Sequence, residues 1–132
     1  MIYHYQEITP EIRRPIIPIF LKHKEKFIFY DGLIDSGSDY CIFSIEFAKV
    51  LNIPVSKRKV SFIGVGKEKV SGHLGEVEAR IGELTYKLKA IFAQISDFGH
   101  GILGHKGFFD HFDVRLSYKN QTIELEPISI YN

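Results

Sequence analysis

The chain has 132 residues, 45% hydrophobic and 25% charged, proportions typical of one ordinary globular domain. A chain of this length buries a real core without disulfides or structural metal. Seventeen Lys and Arg against sixteen Asp and Glu leave a net charge of +1, and with no clustered positive charge beyond Lys57-Arg58-Lys59, read as a solvated loop, a nucleic-acid partner is not expected.

Cys41 is the single cysteine, which excludes an intramolecular disulfide and fits a reducing compartment. No stretch approaches the roughly 18–20 apolar residues that span a bilayer. The opening residues, Met1 to Glu7, lack the basic and apolar regions of a signal peptide. The expectation is a cytoplasmic protein with no membrane partner.

Residues 1–14 carry no recognisable motif and stay unplaced, while 15–132 read as one domain without repeat, linker or low-complexity segment. Ile16 to Leu21 is an apolar run after Pro15, followed by a charged turn from Lys22 to Lys26. Phe27 to Ile34 returns from that turn, apolar on both faces near its end, which predicts a central strand. Pro18 inside the first strand predicts an edge or bulged position there. The aromatic set Phe27, Phe29, Phe108, Phe109 and Phe112 reads as core.

Beyond residue 39 the period changes. Ser44 predicts a helix cap, Glu46 suits the positive end, and Phe47, Val50 and Leu51 fall on one face, before Asn52 and Pro54 stop the helix. Strand signals resume at Val60 to Ile63, pass a glycine-punctuated tip at Gly64-Val65-Gly66, and continue from Lys67 to Val70. Val77, Ala79 and Ile81 alternate, Gly82-Glu83 fits a type II′ hairpin turn, and Leu84, Tyr86, Leu88 and Ala90 alternate back. Ile102-Leu103-Gly104 follows a glycine-rich loop, and His105 to Phe112 reads as a second short helix. A final hairpin joins Val114, Leu116 and Tyr118 to Ile123 and Leu125. Strand number and spacing predict a mostly β domain with two short helices, closed as a barrel or a sandwich.

The most informative stretch is Leu33-Ile34-Asp35-Ser36-Gly37-Ser38-Asp39. A carboxylate at the end of a buried strand needs hydrogen-bond donors. Gly37 lets the backbone approach closely enough to supply one, and Ser36 offers a hydroxyl that can anchor the loop. Taken alone, Asp-Ser-Gly is more often an ordinary turn closing a strand.

Three short motifs in order change that reading: Leu33 to Ser38, then the tip Ile63-Gly64-Val65-Gly66, then Ile102-Leu103-Gly104. With these the chain resembles the retropepsin-like aspartic proteases over about Pro15 to Pro127. The stretch Phe43 to Ile53 and the ending after Phe108-Phe109-Asp110 look more like cellular and bacterial members than compact retroviral ones. The resemblance implies a closed retropepsin-like β-barrel and an aspartic-type endopeptidase. It implies catalytic roles for Asp35, Ser36 and Gly37, a substrate-covering flap with Ile63, Gly64, Val65 and Gly66 at its tip, and a floor of Ile102, Leu103 and Gly104. It implies no cofactor and no metal.

An aspartic protease activates water with two carboxylates sharing a proton. Only Asp35 sits in the motif, and Asp31, Asp39, Asp97, Asp110 and Asp113 do not. The resemblance therefore implies a homodimer with a peptide or protein substrate, Asp35 coming from each copy, and the Ser36 hydroxyl bonding across to the partner's loop. Retroviral members pair the Asp39 position with an Arg after the second motif; here His105 and Lys106 stand there, so a weaker or pH-dependent His105–Asp39 ion pair is expected.

Other chemistries fit poorly. Gly64-Val65-Gly66-Lys67 lacks the first Gly and the final Ser or Thr of a phosphate loop. His100, His105 and His111 lack helical metal-pair spacing, no serine nucleophile elbow surrounds Ser36 or Ser38, and Cys41 reads as a small core residue. The alternative from another class is a non-catalytic dimeric peptide-binding or interaction module on the same fold.

Overall fold

The computed structural model describes residues 1–63, 69–95 and 99–128. In chain order the elements are β1 (Ile2–His4), β2 (Gln6–Thr9), β3 (Ile12–Arg14), β4 (Ile16–His23), β5 (Lys26–Ile34), β6 (Ile42–Ser44), α1 (Ile45–Val50), β7 (Val55–Ile63), β8 (Lys69–Ile81), β9 (Leu84–Ala93), β10 (Gly101–Leu103), β11 (Phe112–Ser117) and β12 (Thr122–Pro127).

The main sheet runs β4-β5-β10-β6-β9-β8-β7, and β4 also pairs with β8. That extra pairing closes the first six strands into a barrel and leaves β7 on the outside edge. Closure works because β8 changes neighbours along its length. It pairs with β7 up to Gly75, then with β4 from Glu78 to Arg80, while β9 stays alongside over Gly72 to Ile81. β4 meets β8 only through Phe20 to Lys22, so Pro18 lies where β4 has β5 as its sole neighbour and its missing N–H breaks no second ladder.

The period-two alternation of β4, β8 and β9 builds the interior. Ile17, Ile19 and Leu21 face Val77, Ala79 and Ile81, with Phe43, Phe92 and Leu103 filling the space between. Gly82 at φ +59° turns the β8–β9 hairpin as its sequence predicts. Ile42, Ile91, Ala93 and Ile95 form a second cluster with Val60 and Ile102 packed against it. A three-stranded sheet, β1-β12-β11, adds Ile123 and Leu125 to the main core. The opening residues thus belong to the fold: β1 pairs with β12 from Ile2–Glu124 to His4–Thr122.

Several expectations are corrected. Ser44 does cap α1, its hydroxyl accepting the Glu46 N–H at 3.3 Å, but Val50 is 55% exposed and the helix buries Ala48, with Leu51 buried at its C-cap. Lys57-Arg58-Lys59 belong to edge strand β7, where exposed charges protect an open edge from pairing. Phe27 and Phe29, 56% and 77% exposed, are outside the core. They lie on the outer face of the β4–β5 hairpin and pack against Phe20, with ring centroids 5.0 and 5.1 Å away. Phe108 and Phe112 are fully buried as expected, and Phe109 is half-buried. No second helix forms between His105 and Phe112. Gly107 adopts φ +101°, which an α-helix cannot continue through, and Asp110 Oδ1 accepts its N–H at 2.9 Å to fix a run of turns.

Candidate active site

Strands β5 and β10 run parallel, pairing Gly101 with Gly32, Ile102 with Leu33 and Leu103 with Ile34. Asp35 and Gly104 therefore leave the sheet side by side, and the Asp35 N–H donates to the Leu103 carbonyl at 3.0 Å. The loop that follows is stitched to the chain beyond β10. His105 N–H reaches the Ser38 carbonyl at 2.8 Å, Lys106 N–H the Asp39 carbonyl at 2.9 Å, and Cys41 N–H the Lys106 carbonyl at 3.3 Å. The Ser38 hydroxyl donates to the Tyr40 carbonyl at 2.8 Å. This ladder puts backbone where a side chain at 104 would go. A Cβ there would sit 2.3 Å from the Tyr40 oxygen and 2.5 Å from the Ser38 oxygen, so the second motif must end in glycine.

Asp35 is half-buried, and Ser36 and Gly37 are exposed. Gly37 N–H donates to Asp35 Oδ1 at 2.9 Å, the close backbone approach that its sequence predicts. Among the described residues that N–H is the carboxylate's only hydrogen-bond partner, and the Ser36 hydroxyl makes no bond. The loop thus presents a fixed carboxylate with one oxygen served and a hydroxyl turned to solvent.

The expected His105–Asp39 ion pair is not formed. His105 Nε2 instead donates to the Ser36 carbonyl, and its ring leans on Phe109 with centroids 5.4 Å apart. With its Nε2 engaged on the Ser36 carbonyl, the imidazole does not take the role that an arginine's longer, forked side chain would. Lys106 leaves Asp39 as well, its ammonium lying 5.0 Å from the Tyr40 ring centroid. Downstream, His111 Nδ1 meets Asp110 Oδ1 at 2.7 Å and stacks on Tyr86, whose hydroxyl donates to the Gly107 carbonyl at 2.7 Å. His100 Nδ1 lies 3.0 Å from the Gly101 carbonyl oxygen. Among the described residues no three His, Cys, Asp or Glu side chains gather as a metal site. Cys41 is fully buried beneath the loop, and burial pushes its thiol up to about 12, which suits core packing and not nucleophilic chemistry.

Of the residues expected at the floor, Leu103 turns into the main core with 1% exposure, and Gly104 is buried, so Ile102, half-buried, keeps the accessible surface. β7 and β8 stay paired as far as Ile63 and Lys69. Gly64, Val65 and Gly66 lie outside the described residues. Sequence reasoning missed the strand Ile42–Ser44, which runs antiparallel to β10 and parallel to β9 and so locks the site strands into the barrel. It also missed the backbone role of Tyr40, for which no local signal exists.

The six-stranded closure with a carboxylate loop at the ends of two parallel strands defines a retropepsin-like barrel. Comparison with family models matches residues 28–106 to the aspartyl protease family, a span that contains the whole site. The chain belongs to the aspartyl protease family. Among solved structures it is similar to the EIAV protease complexed with the inhibitor HBY-793, at a TM-score of 0.54 and 20% identity, over 75% of this chain and 88% of that one. That likeness shows the fold. No curated protein sequence matches the chain.

Proposed function

We propose that the protein is an aspartic endopeptidase that hydrolyses peptide bonds with water activated between Asp35 of one copy and Asp35 of a second. The observation that carries this reading is the Asp35 carboxylate itself: held at a strand end by one N–H, half-open, and hydrogen-bonded to no other carboxyl group among the described residues. Asp31 lies four residues back along β5, roughly 13 Å away at the rise of an extended strand. Asp110 is engaged with Gly107 and His111, and Asp113 lies in β11 opposite Glu126. The missing partner is supplied most simply by two-fold symmetry.

In such a pair one carboxylate takes the proton from water while the other, protonated, donates to the scissile carbonyl oxygen. Two carboxyls this close titrate as a unit, because both cannot ionise cheaply. Activity needs the singly protonated pair, so the pH profile is a bell on the acidic side. The Ser36 hydroxyl, unbonded among the described residues of its own copy, reaches the partner's loop and keeps the two carboxyls coplanar. The paired strands β7 and β8, between which the sequence carries Ile63-Gly64-Val65-Gly66, act as the flap that pairs with an extended peptide. Ile102 supplies an apolar surface below, with Leu103 and Gly104 supporting it, so the cleft favours apolar side chains. No cofactor enters this scheme, and a reducing compartment such as the cytoplasm suits the buried thiol.

The test is cleavage of a diverse peptide library at about pH 4–7 by wild type and Asp35→Asn. Cleavage by wild type alone supports the peptidase. Cleavage by neither, from a folded dimer, supports the non-catalytic module, and equal cleavage by both removes Asp35 from the chemistry.

A further inference from the structure

The strands β2 and β3 form a two-stranded sheet of their own, with Gln6 opposite Arg14, Glu7 opposite Arg13 and Thr9 opposite Ile12. Every residue of both strands is exposed, and no other described element makes more than marginal contact with them. Ile8 and Ile12 each keep 43% of their surface in solvent. A lone two-stranded hairpin is barely stable in water, so one with no more than marginal contact to the other described elements lacks most of its support.

Both roots of this hairpin are nevertheless pinned. Just before it, Tyr5 N–H donates to the Gln121 carbonyl at 2.9 Å. Just after it, the Pro15 carbonyl accepts the Ile34 N–H at 3.0 Å, one residue short of Asp35. The hairpin tip is also built rather than loose, since Thr9 Oγ1 accepts the N–H groups of Glu11 and Ile12 at 3.3 and 3.1 Å. The exposed unit is thus a shaped arm rooted beside the catalytic loop.

We propose that the β2–β3 hairpin is a dimerisation arm that lies on a second copy of this chain beside the paired Asp35 loops. This rests on the reading that Asp35 works as a dyad, because that reading alone places the second copy at the arm's root. A second copy also suits the arm's chemistry. Glu7 and Glu11 balance Arg13 and Arg14, and Glu7 and Arg13 stand 4.0 Å apart on the exposed surface. A two-fold contact sets the same patch against itself, so a patch carrying both signs can pair with its own copy without net repulsion. Ile8 and Ile12 supply the apolar contact that the polar pairs surround.

The test compares wild type with Ile8→Lys/Ile12→Lys and with Arg13→Glu in the full chain. Sedimentation equilibrium gives the dimer dissociation constant, and thermal melting at dilution to monomer checks that each variant folds. The expected result is a dissociation constant raised about tenfold or more, with the monomer's melting temperature unchanged and specific activity restored at high protein concentration. A dissociation constant within about twofold of wild type overturns the arm while leaving the dyad standing. A raised KM with unchanged dimerisation also overturns it, by assigning the hairpin to substrate. A wild type that cleaves peptide with Asp35 while monomeric at every concentration removes the dyad and the arm together.

Discussion

Gly104→Ala perturbs the site by a single methyl group. Ordinary contact with that methyl begins at 3.4 Å, yet the Tyr40 and Ser38 oxygens would lie at 2.3 and 2.5 Å, roughly 1 Å too close in both directions. Both are backbone atoms, so no rotamer change relieves the clash, and the Asp35 loop must separate from the chain beyond β10. Overpacking of this kind costs about 1–3 kcal/mol. The separation also strains the bonds His105 N–Ser38 O and Lys106 N–Asp39 O, at 2.8 and 2.9 Å, each worth about 1 kcal/mol net. The expected destabilisation is about 3–5 kcal/mol, or a fall in melting temperature of roughly 10–20 °C for a domain of this size. Thermal unfolding followed by circular dichroism measures it, and peptide cleavage below the transition reports on Asp35. Gly99→Ala is the control, since a Cβ there meets nothing within 4 Å and carries only the strain of φ +72°. A Gly104→Ala protein that melts within about 2 °C of wild type would refute the claim that backbone stitching holds the loop.

Further outcomes follow from neighbouring residues. Cys41 is expected to resist thiol reagents in the native protein at about pH 8 and to react once unfolded. Its ordinary value of 9.0 rises to about 12 on burial, so above about pH 9 the unfolded chain loses a proton that the native state retains, and stability falls as pH rises through that window. Tyr30, also raised to about 12 by burial and then by Asp31, acts in the same direction. Denaturant titrations at about pH 8–11 should therefore show a shallower decline for Cys41→Ala, and an unchanged slope would remove the thiol as a cause. His105→Ala should lower kcat about fivefold with little change in KM, by freeing the Ser36 carbonyl, while His105→Gln keeps an N–H donor and recovers most of the rate. Equal losses in both variants would show that the ring acts by packing on Phe109 instead.

Much of the barrel is legible because one buried face imposes a period of two. Val77, Ala79 and Ile81, the Gly82-Glu83 turn and the returning Leu84 to Ala90 determine a hairpin that the structure reproduces. The strand Ile42–Ser44 escapes the same logic because all its residues are buried, leaving no alternation to see. Its sequence then merges into the helix that Ser44 caps. Phe27 and Phe29 show the opposite failure. Their hydrophobicity suggests interior positions, but the register that pairs Phe20 with Phe29 sets them on the outer face, and only the closed topology reveals which face is inside. Lys57 to Lys59 look like a loop because an edge strand and a solvated turn favour the same charges.

At the site, the Asp35 and Gly104 motifs are visible because each needs a particular residue type: a carboxylate with a close N–H donor, and a position where backbone excludes Cβ. The His105 contact is not visible, since its partner is a carbonyl 69 positions away in the chain. The β2–β3 arm carries no motif, and its meaning emerges only from where its roots are fastened.

The central claim is that two copies of Asp35 form one site. Wild type and Asp35→Asn, mixed at constant total protein above the dimer dissociation constant and allowed to exchange, test it most directly. A shared site makes activity follow the square of the wild-type fraction, about one quarter at equal mixing. Activity that falls in proportion to the wild-type fraction, to about one half at equal mixing, would mean that each chain carries a complete site, and the account would be wrong.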